Sequence, residues 1–217
     1  MCTSFHELKD RCRENLLPNT RRAFAMLPSI KNPVIADIGC GTGVPTIELA
    51  RLSDGMIYAV DTDECSLEIL CAKAERCGYR KRIRILRGLI DSPELPPGGV
   101  DILWAEGLFN VIGFEKGISA GKGLVKPGGF LVIHDEIAAE DEKHALMVRH
   151  GFSLLDSFAL DETVWWNGYY SCLERTIASR AEGTDDEAVR SALVEIQEYK
   201  KHPESCRSIF YILKKTG

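Results

Sequence analysis

The chain has 217 residues, 45% of them hydrophobic and 27% charged, with a formal net charge of -5. That length and apolar content suffice for one domain with a full core, and the acidic balance gives no general attraction to nucleic acid or to an anionic membrane surface. No apolar run approaches the ~18 residues that span a bilayer, and the polar, charged opening MCTSFHELKDRCREN lacks the apolar middle of a signal peptide. A cytoplasmic location is expected.

Residues 1–33 carry a helix-like FHELKDRCRENL, a break at Pro18 and a second helix opening near Asn19-Thr20, either of which could cap it. From residue 34, apolar runs alternate with helical periods, the pattern of a parallel sheet covered on both faces. Strands are predicted at 34–38, 56–60, 82–86, 100–105 and 130–135, and helices near 43–52, 64–77, 115–124 and 139–150. Two late alternating segments, FSLLDSFAL and RSIFYILKK, predict an antiparallel pair at the sheet's edge. Between them, residues 160–200 form an insertion expected to make a helical lid. In it Thr184 with Glu187 forms a capping box, and Val189, Leu193 and Ile196 form an apolar stripe. The expected organisation is one domain: N-terminal helices (1–33), a ligand-binding core (34–159), the lid (160–200) and a final strand (201–217).

The chemistry concentrates in VIADIGCGTGVPTIELA, residues 34–50, where a strand runs through Gly39, Gly41 and Gly43 into a helix. Glycine admits a backbone conformation and a close ligand approach that a Cβ would prevent, and the helix offers unpaired N–H groups at its first turn. A dinucleotide site calls for G-x-G-x-x-G, but Val44 stands where the third glycine belongs. In place of that pattern, Asp37 puts a carboxylate at the strand's end. It repels a diphosphate and attracts a ligand carrying an ammonium and a sulfonium. Asp37-x-Gly39-x-Gly41-x-Gly43 resembles motif I of the class I S-adenosylmethionine-dependent methyltransferases.

DILWAEGLFNVIGFEKG (101–117), DSFALDETVWWNGYYSCLE (156–174) and EIQEYKKHPESCRSIFYILKK (195–215) extend the likeness to nearly the whole chain, which resembles a type 11 methyltransferase domain subgroup of mostly unassigned substrate. The resemblance implies an α/β fold, a doubly wound, mostly parallel seven-stranded sheet. It also implies S-adenosyl-L-methionine as cofactor, with S-adenosyl-L-homocysteine as product. Asp37, Gly39, Cys40, Gly41 and Gly43 would hold its amino-acid end, and Asp61 with Thr62 the ribose, unless Asp61 serves only as a helix cap. Leu89 and Ile90 would flank the adenine and Asp91 meet its amine, while Glu106 could also touch cofactor.

Methyl transfer from a sulfonium expels a neutral leaving group, so the protein needs chiefly to align nucleophile, methyl and sulfur. A base is needed only for an acceptor that must lose a proton. Glu106, His134 and Asp135 are the candidates, with Asn110 beside them. Strand four ends Trp104-Ala105-Glu106-Gly107 rather than in the Asn/Asp-Pro-Pro-Tyr/Phe of amino-methylating DNA enzymes, which with the acidic charge favours a small-molecule acceptor. At helical spacing Trp165 shares a face with Tyr169 and Trp166 with Tyr170, so either pair could pack inward. Trp166, Tyr169 and Tyr170 are candidate acceptor contacts. The eight cysteines contain no C-x-x-C and no Cys/His pair at finger spacing, so reduced thiols packed as small apolar side chains are expected, and no metal site. A nicotinamide oxidoreductase and a non-catalytic S-adenosylmethionine-binding protein are the alternative readings, and a homodimer is possible.

Overall fold

The computed structural model describes residues 2–91, 94–179 and 187–217. Seven strands form one sheet in the order β3-β2-β1-β4-β5-β7-β6: β1 (Val34–Ile38), β2 (Met56–Asp61), β3 (Ile83–Arg87), β4 (Val100–Glu106), β5 (Val125–Glu136), β6 (Phe152–Leu160) and β7 (Ser208–Lys215). The first five are parallel, and β7 runs antiparallel between β5 and β6. The strand order reverses between β1 and β4, so the carboxyl ends of those two strands flank the crevice where open α/β sheets bind ligands. Helices α3 (Val44–Leu52), α4 (Glu64–Arg76), α6 (Phe114–Leu124) and α7 (Glu140–Arg149) cover the sheet, with a short α5 (Phe109–Ile112) between β4 and α6. Apolar clusters on the two faces contain Leu49, Leu70 and Trp104 on one side and Leu103, Phe109 and Ile133 on the other.

Lys126-Pro127-Gly128-Gly129, ahead of the strand predicted at 130–135, lies inside a single long strand. β4 pairs Val100 with Val125 and then Ile102 with Phe130, so the four residues bulge out of β5 rather than precede it. Lys126 Nζ closes the bulge on Asp101 Oδ1 at 2.7 Å. At the N-terminus, α1 (Cys2–Arg13) passes through a 3-10 turn into α2 (Leu17–Ala25). Pro18 sits in the first turn of α2, where a missing N–H costs nothing. Asn19 and Thr20 therefore lie inside the helix, and neither caps it.

After β6 come α8 (Glu162–Trp165), a π-helical turn (Trp166–Tyr170), α9 (Ser171–Ala178) and α10 (Glu187–Lys201). They share a third apolar cluster with α1, built on Cys12, Tyr169, Tyr170, Leu173 and Ile196. Val189 and Ile196 are buried as expected, but Leu193 is exposed; the buried stripe of α10 runs Val189, Ala192, Ile196, Tyr199. Thr184 of the expected capping box lies outside the described residues. Cys12 and Cys172 form a disulfide across 160 residues, with Cα atoms 5.5 Å apart. This corrects the expectation of reduced thiols throughout, and a separation of that size leaves no local spacing to read. Cys40, Cys65, Cys71, Cys77 and Cys206 are free. Among the described residues no helix is long and apolar enough to cross a membrane, and no three His, Cys, Asp or Glu side chains stand where they could hold a metal ion.

Candidate cofactor and acceptor site

The glycine turn is held from behind. The N–H groups of Gly39 and Cys40 both donate to Val60 O, at 2.8 and 3.1 Å, and that of Gly41 donates to Asp61 Oδ2 at 2.7 Å. Asp61 Oδ1 accepts from Asp63 N at 2.9 Å, so one carboxylate ties the β1 turn to the β2 turn. The capping role considered for Asp61 belongs to Asp63, whose Oδ2 accepts from Ser66 N at the start of α4. Gly41 (φ +51°) and Gly43 (φ +81°) need glycine for different reasons. A Cβ on Gly43 would lie 2.1 Å from Leu70 of α4, whereas one on Gly41 would meet nothing within 4 Å, leaving that side of the backbone open to a ligand. From the other side α1 clamps the turn: Thr42 Oγ1 donates to Asp10 Oδ1 at 2.6 Å, and Lys73 pairs with Asp10 and donates to Thr42 O.

Three acids surround this bend. Burial pushes the Asp37 carboxyl up to about 7; the hydrogen bond from Thr46 Oγ1 at 2.5 Å opposes the shift, while Glu106 and Asp61 add to it. Burial also raises Glu106, against the hydrogen bonds that its Oε1 accepts from Trp104 Nε1 (2.8 Å) and Thr20 Oγ1 (2.9 Å). Trp104 is wholly buried, and a buried indole N–H needs such a partner. Because Glu106 and Asp61 disfavour the charge on Asp37, the bend itself repels an anion and gains from a cation. The Cys40 thiol is pushed up by burial and then by Asp37, and so stays protonated.

A cavity of about 560 Å³ opens on the turn, within the ~300–1,000 Å³ usual for small-ligand sites. Of the sequence candidates it brings together Asp37, Gly39, Cys40, Gly41, Glu106, Asn110, His134, Asp135, Tyr169 and Tyr170. Gly43, Asp61, Thr62, Leu89, Ile90 and Asp91 lie outside its lining. Asp61 stands just behind Gly41. Leu89 is exposed and Ile90 is buried in the core, so the two do not form the two sides of a slot. Asp135 is committed to a buried ion pair with Lys143 at 2.7 Å. Burial lowers the His134 imidazole to about 4, which keeps it neutral.

Trp165 lines the cavity, but Trp166 does not; it stacks on Tyr199 at 5.5 Å instead. The cause is the π-helical turn at Trp166–Tyr170. Trp165 and Tyr169 keep the face they were expected to share, whereas the wider turn parts Trp166 from Tyr170 and brings Tyr170 to the same wall. Thr20, Arg13, Ser208 and Phe210 also line the cavity without having been singled out from sequence. Only the aromatic run around Trp165 carried a signal; the others come from segments remote from the glycine motif.

Residues 35–129 match the Methyltransferase domain family. Over that stretch, which holds the glycine turn and strands β1 to β4, the chain resembles a methyltransferase domain. Ribosomal protein L11 methyltransferase of Pelotomaculum thermopropionicum is 31% identical over 115 residues, which are 52% of this chain and 35% of that protein. The chain spans less than half the length of the first curated relatives it matches. The fold is shared with the [4+2]-cyclase SpnF (TM-score 0.78, 17% identity, 92% of this chain and 81% of that one). It is also shared with a SAM-dependent methyltransferase from Geobacter sulfurreducens in complex with S-adenosyl-L-homocysteine (TM-score 0.71, 16% identity, 91% and 90%). The open bend at Gly41 with its three acids fits a sulfonium nucleoside such as S-adenosylmethionine.

Proposed function

We propose that the protein transfers a methyl group from S-adenosylmethionine to a small-molecule acceptor held in the 560 Å³ cavity. The observation that carries this reading is the set of Asp37, Asp61 and Glu106 around a glycine bend open at Gly41. Such a bend favours a sulfonium and an ammonium and disfavours a diphosphate, which sets the nicotinamide reading aside. Asp37, Gly39 and Gly41 would hold the amino-acid end of the cofactor, and Asp61 the ribose hydroxyls through the remaining lone pairs of its oxygens. When bound, the cofactor supplies an electrophilic methyl on positive sulfur. The protein's part is to position the acceptor and to exclude water.

The small acceptor is supported by the cavity's walls. α1, α2 and the α8–α9 segment contribute Arg13, Leu17, Thr20, Trp165 and Tyr169, which frame a recess rather than a flat face. The L11 relative acts on a protein, so the acceptor screen includes protein fractions beside metabolites.

Calorimetric titration with S-adenosyl-L-homocysteine is expected to show one site, and Asp61→Ala should weaken it by about tenfold or more through loss of charge-assisted bonds. Binding of NAD(H) in place of S-adenosyl-L-homocysteine would reject the reading. Tight cofactor binding with no transfer to any screened acceptor would favour a non-catalytic S-adenosylmethionine-binding protein.

A further inference from the structure

A chain of three side chains fixes the proton on His134, and with it the charge of what can sit beside it. Ser208 Oγ lies 3.0 Å from Trp165 Nε1 and 2.9 Å from His134 Nε2. An indole N–H can only donate, so Ser208 accepts from Trp165; its hydroxyl has a single proton of its own to give. Among the described residues, His134 Nε2 is the only acceptor within reach of that proton. One arrangement therefore satisfies all three groups: Trp165 donates to Ser208, Ser208 donates to His134 Nε2, and the ring proton resides on Nδ1. The other tautomer leaves the hydroxyl proton of buried Ser208 without an acceptor.

The ring is clamped face-on by Phe210 at 4.2 Å and Trp165 at 5.8 Å. The sealed, unpartnered side-chain atoms among the described residues are Asp135 Oδ1, His150 Nε2, Tyr169 OH and Tyr211 OH. His134 Nδ1 is not one of them, and no protein group bonds it, so its N–H opens on the cavity that His134 lines. His134 is thus a hydrogen-bond donor there. The lone pair a base would need is already taken by Ser208.

Two cations stand at that end, away from the acids of the glycine bend. Arg13 and Arg207 line the cavity, and neither is ion-paired among the described residues, while Glu195 is taken by Lys9 at 3.1 Å and Asp135 by Lys143. The acids without an ion pair nearby are Glu136, which lines the cavity, and Asp161, whose carboxyl is held low by Thr163 first and by Arg207 less.

We propose that the methyl acceptor is an organic carboxylate whose oxygen accepts a hydrogen bond from His134 Nδ1, and that the product is its methyl ester. This rests on the methyl-transfer reading above. An oxygen lone pair forms the O–CH3 bond while the C–S pair returns to sulfur. Anion and sulfonium become neutral ester and neutral thioether, and no proton moves, so a neutral donor is the group required. The donor engages one lone pair of the carboxylate and leaves others for the methyl carbon.

Three probes sharing one frame separate charge from shape: phenylacetate, phenylacetamide and phenethylamine, each titrated into protein saturated with S-adenosyl-L-homocysteine. Phenylacetate is expected to bind at least tenfold more tightly than the other two. His134→Asn keeps an N–H near the place of Nδ1 but cannot act as a base, and should retain phenylacetate affinity within threefold. His134→Leu should lose tenfold or more, and Ser208→Ala, which frees the tautomer, should fall between them. S-Adenosyl-L-homocysteine affinity, measured on every variant, identifies any that fail to fold. The series on the unmodified protein needs no variant. Equal binding of the three probes, preference for the amine, binding of none, or an Asn variant as poor as the Leu variant overturns the carboxylate. A protein that does not bind S-adenosyl-L-homocysteine overturns the methyl-transfer reading instead.

Discussion

Asp37 shows how one residue makes a site pH-dependent. With its carboxyl held up to about 7 by burial, it is protonated below that pH in the free protein. A cationic ligand binds the ionised form better, so S-adenosylmethionine binding should expel a proton below about pH 7, and affinity should rise as pH climbs through that value. Calorimetry in two buffers of unlike ionisation heat reads the proton, and Asp37→Asn should flatten the dependence. The same raised pKa means that ligand-free stability from this group, full below the unfolded value of 3.8, fades as pH rises toward 7. Gly41 and Gly43 give a second residue-level contrast. Gly41→Ala should cut S-adenosyl-L-homocysteine affinity tenfold or more while costing about 1–2 kcal/mol of stability from its positive φ. Gly43→Ala should cost about 3 kcal/mol in denaturant unfolding, because strain and overlap with Leu70 add. Asp37, Gly39, Gly41 and Asp61 were legible in the sequence because the bend that joins them is local. Ser208 and Thr20 were not, since each meets its partner, His134 or Glu106, only through strands and helices far apart in the chain.

At the scale of elements, sequence periodicity located the strands and sheet-covering helices to within a residue or two, because each carries its apolar pattern along its own length. It failed where the backbone leaves the standard repeat. The bulge at 126–129 hid the first residues of β5, and the π turn parted Trp166 from Tyr170 and left Trp166 off the cavity wall. Replacing Trp165 by Phe, which removes the indole donor and keeps a ring, should weaken acceptor binding several-fold with cofactor affinity unchanged. The disulfide belongs to the same scale, since it joins α1 to α9. Cys12→Ser with Cys172→Ser should lower stability by about 2–4 kcal/mol under non-reducing conditions, and a reductant should close the gap between variant and parent in guanidinium titrations.

Across the whole molecule, the N-terminal helix is a structural part of the ligand site. Asp10, nearly buried, holds both Thr42 of the bend and Lys73 of α4. Removing one member of such a pair leaves the other charge stranded, so Asp10→Ala should cost about 3 kcal/mol. It should also weaken S-adenosyl-L-homocysteine binding, as followed by thermal shift with and without ligand. Cys12, two residues further along α1, is bound to Cys172. During synthesis α1 therefore waits for Thr42, Lys73 and Cys172, which lie 32, 63 and 160 positions downstream of their partners. A nascent chain that stops short of β7 has the pattern for a nucleoside but no finished vessel around it, because Arg207, Ser208 and Phe210 close the wall, so completion of the binding chamber is a late event in synthesis.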